Sequence, residues 1–151
     1  MSSDPTFSNT LRLEVASWQT DHDILRKLRE QVFVREQSVP ADIEWDGQDE
    51  NCIHILAYIN GLAIGCGRLM SDGKVGRMAV LPEYRKHGVG SAILEKTINT
   101  ASVSGLKHLY LHAQEHAVAF YRKAGFEAKG NSFEEAGITH VLMHRILTPI
   151  K

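Results

Sequence analysis

Cysteine is scarce: Cys52 and Cys66 are the two thiols in 151 residues, far below the density of a fold stapled by disulfides. Excess charge is lacking too. Lys and Arg number 17 against 18 Asp and Glu, a formal charge of −1, so no basic field exists for gripping nucleic acid or anionic lipid. Neither a nucleic acid nor a membrane is expected as a partner. No apolar run is long enough to cross a bilayer, and the start, Met1-Ser-Ser-Asp-Pro-Thr-Phe-Ser, has neither the basic region nor the apolar core of a signal peptide. The cytoplasm is therefore the expectation, with both thiols free. Internal repeats and low-complexity tracts are also missing. What is present, 43% hydrophobic and 23% charged residues, belongs to a folding chain and not to a disordered or collagen-like one. The length suits one domain over 11–151 behind a polar, irregular lead-in at 1–10.

Leu11, Leu13 and Val15 alternate with polar residues as in a half-buried strand. The period then changes: Ile24, Leu25, Leu28, Val32 and Phe33 recur three and four apart, with Thr20 or Asp21 as the cap. Residues 53–59 read as a strand, Asn60-Gly61 as a two-residue turn, and 62–70 as the returning strand. Residue numbers summing to 121 would pair Cys66 with Ile55 and turn Cys52 to the other face, which argues against a bridge. Asp72-Gly73 marks a second turn and Lys74 to Leu81 a third strand; a sum of 145 would set Arg68 opposite Arg77, a pair that needs an acidic partner or an anion. Val89, Ile93, Leu94, Ile98 and Ala101 form a helical stripe, closed near Gly105. A strand through Leu109 and Leu111, a short helix at Glu115 to Ala124, and two strands, Phe126 to Phe133 and Ile138 to Leu147, complete the order. Such an order predicts an α/β (mixed α+β) fold, a mixed sheet with helices against it.

The segment from Gln37 to Asn51, with Glu36 just before it, gathers six acids around Trp45. It reads either as a solvated loop or as a rim for a cationic group such as an amine. The run Arg85-Lys86-His87-Gly88-Val89-Gly90 lies between a strand and a helix, where unpaired N–H groups and the helix dipole favour a phosphate. An ordinary tight turn is the competing reading. Neither Gly-x-x-x-x-Gly-Lys-Ser/Thr nor a three-glycine dinucleotide fingerprint is present.

RKHGVGSAIL, from Arg85 to Leu94, resembles the Arg/Gln-x-x-Gly-x-Gly/Ala motif of the GCN5-related N-acetyltransferase (GNAT) family, and the strand GRMAV at Gly76 to Val80 precedes it as in that family. AQEHAVAFYRKAGF, from Ala113 to Phe126, resembles the family's late helix with its tyrosine and closing Gly-Phe. VFVREQSVP (Val32 to Pro40), EWDGQD (Glu44 to Asp49) and GITHVLMHR (Gly137 to Arg145) are similar to a small bacterial-type subgroup of acyltransferases, so the resemblance spans about 14 to 147. It implies a single-domain, mostly antiparallel mixed sheet with helices on both faces, and acetyl-coenzyme A as co-substrate. The diphosphate would meet backbone amides of Arg85, Lys86, His87, Gly88, Val89 and Gly90, and Met78, Ala79 and Val80 would run along the pantetheine arm. Gln114 stands where the family commonly has Asn, and Tyr121 matches the tyrosine placed near the thioester sulfur.

The implied reaction is transfer of an acetyl group to a primary amine, on a small molecule or a peptide, by direct attack in a ternary complex. Thioester chemistry needs positioning, proton removal from the amine, donors toward the oxyanion and an acid for the thiolate. Tyr121 is the expected acid. Glu44, Asp49 and His112 are the candidate bases, and Gln37 and His54 candidate substrate contacts. A coenzyme-A-binding module without turnover is the alternative from another class. No metal is expected: His108, His112 and His116 cross from strand to helix, and no His-Glu-x-x-His occurs. Homodimerisation is expected only on general grounds.

Overall fold

A computed structural model of the chain describes residues 10–147, so all of the lead-in expected at 1–10 except Thr10 lies outside the described residues. β1 (Leu11–Ala16), β2 (Ile53–Ile59), β3 (Leu62–Leu69) and β4 (Val75–Val80) form one antiparallel sheet in that order. β5 (His108–Gln114), β8 (Ile138–Ile146) and β6 (Glu127–Ala128) form a second, and β7 (Phe133–Glu135) pairs with β8 beyond β6. The single strand expected over Phe126 to Phe133 is thus two short pieces. The chain turns away at Gly130, which takes φ +82, and the hairpin turn sits at Ala136-Gly137 with both residues at positive φ.

Helix α1 (Trp18–Arg29) starts one turn before the expected caps: Ser17 is the N-cap, and Asp21 reaches back to accept its N–H at 3.2 Å. The same chain direction continues as a π-helical turn over Glu30–Glu36, with Gln37 N–H bonded to the Val32 carbonyl. A short helix, α2 (Ala41–Glu44), follows. Leu25, Leu28 and Val32 pack on Leu56, Cys66 and Ala79, whereas Ile55, Ala57, Ile59 and Ile64 face the opposite way, toward Val89 and Ile93 of α3 (Val89–Val103). Alternation along β2 therefore gives each face of the first sheet its own helix. Farther along α3, Leu94, Ile98 and Ala101 join Leu109, Leu111, Ala113, Phe126 and Met143 of the second sheet's region. Each such aliphatic side chain contributes about 1.5–3 kcal/mol on full burial. Two apolar positions depart from expectation: Val15 is 54% exposed at the end of β1 and Ile24 37% on the outer side of α1.

Bulges move both predicted registers by one. β2 and β3 keep the sum of 121 only beside the Asn60-Gly61 turn; past Ala57 the sum is 122, and Cys66 pairs with Leu56 instead of Ile55. Both cysteines are free. In β3–β4, Arg68 pairs with Gly76, and Arg77 is the extra residue in the left-handed region at φ +48.

Candidate active site

Just before β4, Lys74 forms a parallel bridge with Tyr110 of β5, where Tyr110 N–H donates to the Gly73 carbonyl at 3.1 Å. A Cβ on Gly73 would lie 2.3 Å from the His108 carbonyl oxygen, so this approach requires glycine. Beyond the bridge the strands part, each continuing in its own sheet, and the wedge between them opens into a cavity of about 220 Å³. Its walls include Met78 from β4, His112 and Gln114 from β5, and Tyr121 from α4 (Val118–Lys123). Gln37 and Glu44 roof it, and Glu135 at the end of β7 closes the far side.

Of the residues expected to meet the cofactor, Met78, Gln114 and Tyr121 line this cavity, whereas Ala79, Val80 and the turn from Arg85 to Gly90 are not part of its lining. Leu81 N–H bonds the Ile64 carbonyl, so by alternation Val80 turns its N–H and C=O away from β3 while Ala79 turns its own toward Cys66. Ala79 is also 4% exposed, and of the three residues expected on the pantetheine arm it is the one directed away from the wedge. The chain then makes a 3-10 turn at Pro82–Tyr84, and Lys86 and Gly88 take φ +68 and +84 before α3 begins at Val89. The first N–H groups of α3 have no carbonyl of their own helix to meet. Gly88 has nothing within 4 Å of a notional Cβ, and a Cβ on Gly90 meets only the Phe120 ring, at 3.5 Å. The loop is open enough for a diphosphate to approach the backbone. The Arg85 side chain is already engaged: Nε donates to the Val80 carbonyl at 2.8 Å, and both terminal nitrogens hold Glu36. That hydrogen bond lowers the Glu36 carboxyl.

Tyr121 brings its hydroxyl to Met78 Sδ at 3.9 Å and sets its ring edge-on to Phe120 and Phe126. Burial pushes its phenol up to about 12, so it carries its proton at neutral pH. Gln114, at the end of β5, donates to Gln37 Oε1 at 3.1 Å and so ties the wedge wall to the roof. His112 Nδ1 lies 2.7 Å from Glu135 Oε1. Sequence reading missed Glu135; its only local signal is an acid just before the Ala136-Gly137 turn.

The acidic segment is divided: Asp42, Asp46 and Glu50 are exposed, whereas two of its carboxylates are buried and one of these, Glu44, lines the cavity. Glu44 and Asp49 are 2% and 6% exposed. Arg29 Nε donates to Glu44 at 2.7 Å and its Nη1 to Asp49 at 2.6 Å, Arg68 bonds Asp46 and Asp49, and Arg77 reaches Glu44, Asp46 and the carbonyl of Ile43. Three guanidiniums thus balance three carboxylates. Arg68 and Arg77 share this partner network although they do not face each other. Trp45 packs beneath Arg26 and Arg29, with guanidinium carbons 5.0 and 4.9 Å from its ring centre. Of the three candidate bases, Glu44 and His112 line the cavity, and Asp49 lies behind it among the arginines. Burial raises the Glu44 carboxyl against the pull of Arg77 and Arg29. His54, expected as a substrate contact, is 1% exposed and bonds the Asp49 carbonyl at 2.9 Å, away from the cavity.

Residues 18–147 match the family described as "Acetyltransferase (GNAT) domain". The uncharacterized N-acetyltransferase YjcF of Bacillus subtilis is 39% identical over 120 residues, 77% of this chain and 86% of that protein. ElaA of Escherichia coli is 33% identical over 129 residues, 80% of this chain and 84% of its own, and its crystal structure superposes with a TM-score of 0.81 over 89% of this chain and 99% of that one. An acyl-CoA N-acyltransferase from Pseudomonas aeruginosa, 29% identical, reaches the same TM-score over 89% of this chain and 99% of its own. With the split sheets, the open glycine turn and the wedge tyrosine, these likenesses establish that the chain belongs to the GNAT family of acetyltransferases.

Proposed function

We propose that the chain moves an acetyl group from acetyl-coenzyme A to a primary amine by direct attack within a ternary complex. The observation that carries this reading is the order along one strand and the turn after it: Met78 lines the cavity beside Tyr121, Val80 two residues on turns its N–H and C=O away from β3, and the open glycine turn before α3 follows. In this reading the diphosphate lies on the amides from Arg85 to Gly90, the pantetheine arm follows Met78 and Val80, and the thioester reaches Tyr121. The Val80 N–H faces the developing oxyanion. Tyr121 protonates the departing sulfur, as a phenol kept neutral by burial can. The amine, on a small molecule or a peptide, enters from the side of Glu44, His112 and Glu135. Near-neutral charge supports a reading without nucleic acid or membrane partners.

Calorimetric titration with acetyl-coenzyme A, followed by thiol release across a panel of primary amines, tests the reading. Binding with turnover for at least one amine is expected. Binding without turnover for any amine would mark a coenzyme-A-binding module, and no binding would remove both.

A further inference from the structure

We propose that Glu135 is a positioning residue that fixes the imidazole of His112 so that His112 Nε2 takes the proton from the acceptor amine. The inference rests on the transferase reading. His112 lies on β5 and Glu135 on β7, and β8 runs between them, pairing Leu142 with His112 and Ile138 with Glu135. Their contact, Nδ1 to Oε1 at 2.7 Å, closes across that strand at the cavity wall. An ionised carboxylate only accepts hydrogen bonds. A neutral imidazole facing one therefore keeps its proton on Nδ1 and leaves the lone pair on Nε2.

Glu135 meets the requirement of being ionised. Burial raises its carboxyl, but the hydrogen bond from His112 and the nearby charge of Lys74 work against this, and the carboxyl lies below its ordinary range. Lys74 just before β4, Arg77 of β4, His140 of β8, Glu44 of α2 and His116 after β5 line the same cavity as the pair. Phe133 sets its ring edge-on to His112 at 5.1 Å, so the imidazole is held on a second side. The other base candidate on the wall, Glu44, is engaged by Arg29 and Arg77.

The step balances as follows. The amine lone pair forms the C–N bond at the thioester carbonyl carbon and the C–S bond breaks. One N–H proton passes to His112 Nε2, and the Tyr121 hydroxyl proton passes to the sulfur. His112 then returns its proton to the phenolate through solvent.

Nitrogen-15 NMR of the whole protein without ligand reads the tautomer directly. We expect His112 protonated at Nδ1 in the unaltered chain and a loss of that single tautomer in Glu135→Gln. With acetyl-coenzyme A and the best amine of a primary-amine panel, Glu135→Gln lowers kcat about 100-fold, the lower end of what a positioned base supplies. Affinity for acetyl-coenzyme A stays unchanged, and Glu135→Asp restores part of the rate. An Nε2-protonated His112 in the unaltered chain, or full turnover in Glu135→Gln, overturns the pairing and leaves the transferase reading standing. Absence of turnover for every amine in the unaltered chain removes that reading and this role with it, whatever the tautomer.

Discussion

Glu36 and Arg85, 49 residues apart in sequence, meet through two hydrogen bonds of 2.7 Å each, one to each carboxylate oxygen. The remaining guanidinium nitrogen donates to the Val80 carbonyl. One side chain thereby fastens the glycine turn to both the π-helical roof segment and the edge of β4.

Removing Glu36 separates two opposing effects. Loss of a negative charge near the turn favours an anionic ligand, whereas loss of the fastening disorders the backbone that would receive it. Both partners are more than a third exposed, which limits the pair to about 1 kcal/mol or less. Glu36→Ala is expected to weaken acetyl-coenzyme A binding about 2- to 5-fold in calorimetry. Tighter binding would show that charge, not fastening, dominates.

Tyr121→Phe keeps the ring contacts with Phe120 and Phe126 and removes the hydroxyl. Because burial holds the phenol up to about 12, the hydroxyl is a proton source at neutral pH. The expected result is a fall in kcat of about 100-fold with unchanged affinity for acetyl-coenzyme A. Equal turnover in the variant would strip Tyr121 of the acid's role.

Asp49 and Glu44 carry opposite pH signs. Burial raises Asp49, but Arg29 and Arg68 outweigh it and the carboxyl lies below its ordinary 3.8. Its stabilisation is therefore present above 3.8 and is lost as pH falls through the lowered value. Glu44 sits above its ordinary 4.5, burial outweighing Arg77 and Arg29. Its contribution is present below 4.5 and is lost as pH rises through the raised value. In urea unfolding at neutral pH, Asp49→Asn should cost about 3 kcal/mol, the loss typical of a broken buried pair, and Glu44→Gln clearly less. Similar costs would contradict the assigned signs.

Gly73→Ala forces a Cβ toward the His108 carbonyl in a backbone at φ +99. Strain alone is worth about 1–3 kcal/mol, and the contact adds to it. Gly76→Ala, with nothing within 4 Å of its Cβ, serves as the comparison and should leave the melting temperature nearly unchanged. If the two variants melt alike, the bridge from Lys74 to β5 is not a tight point of the fold.

Local chemistry made the order of elements readable. Asn60-Gly61 takes positive φ at both residues, as its turn type demands, and the spacing of Val89, Ile93, Leu94 and Ile98 places the buried side of α3. The glycine turn was legible because it sits at a strand-to-helix boundary, whereas Tyr121, in the middle of α4, stood out only through the family resemblance. The bulge at Arg77 was not, because an extra residue leaves alternation intact on either side and appears only when the partner strand is aligned. The arginine–carboxylate network joins residues up to 33 apart, and the His112–Glu135 contact depends on two strand pairings about β8. Charge alternation in a loop cannot announce partners on distant strands.

Ionic contacts, rather than an apolar seam, secure the stretch from α2 to Asp49, and Ile43 within it is 45% exposed. Such a latch asks only that six charged groups persist. Val39, Ile43 and Ala136, which border the cavity, contribute none of these six groups. Substitutions at these three positions reshape the cavity wall while leaving the latch, the β4 edge and the start of α3 as they are.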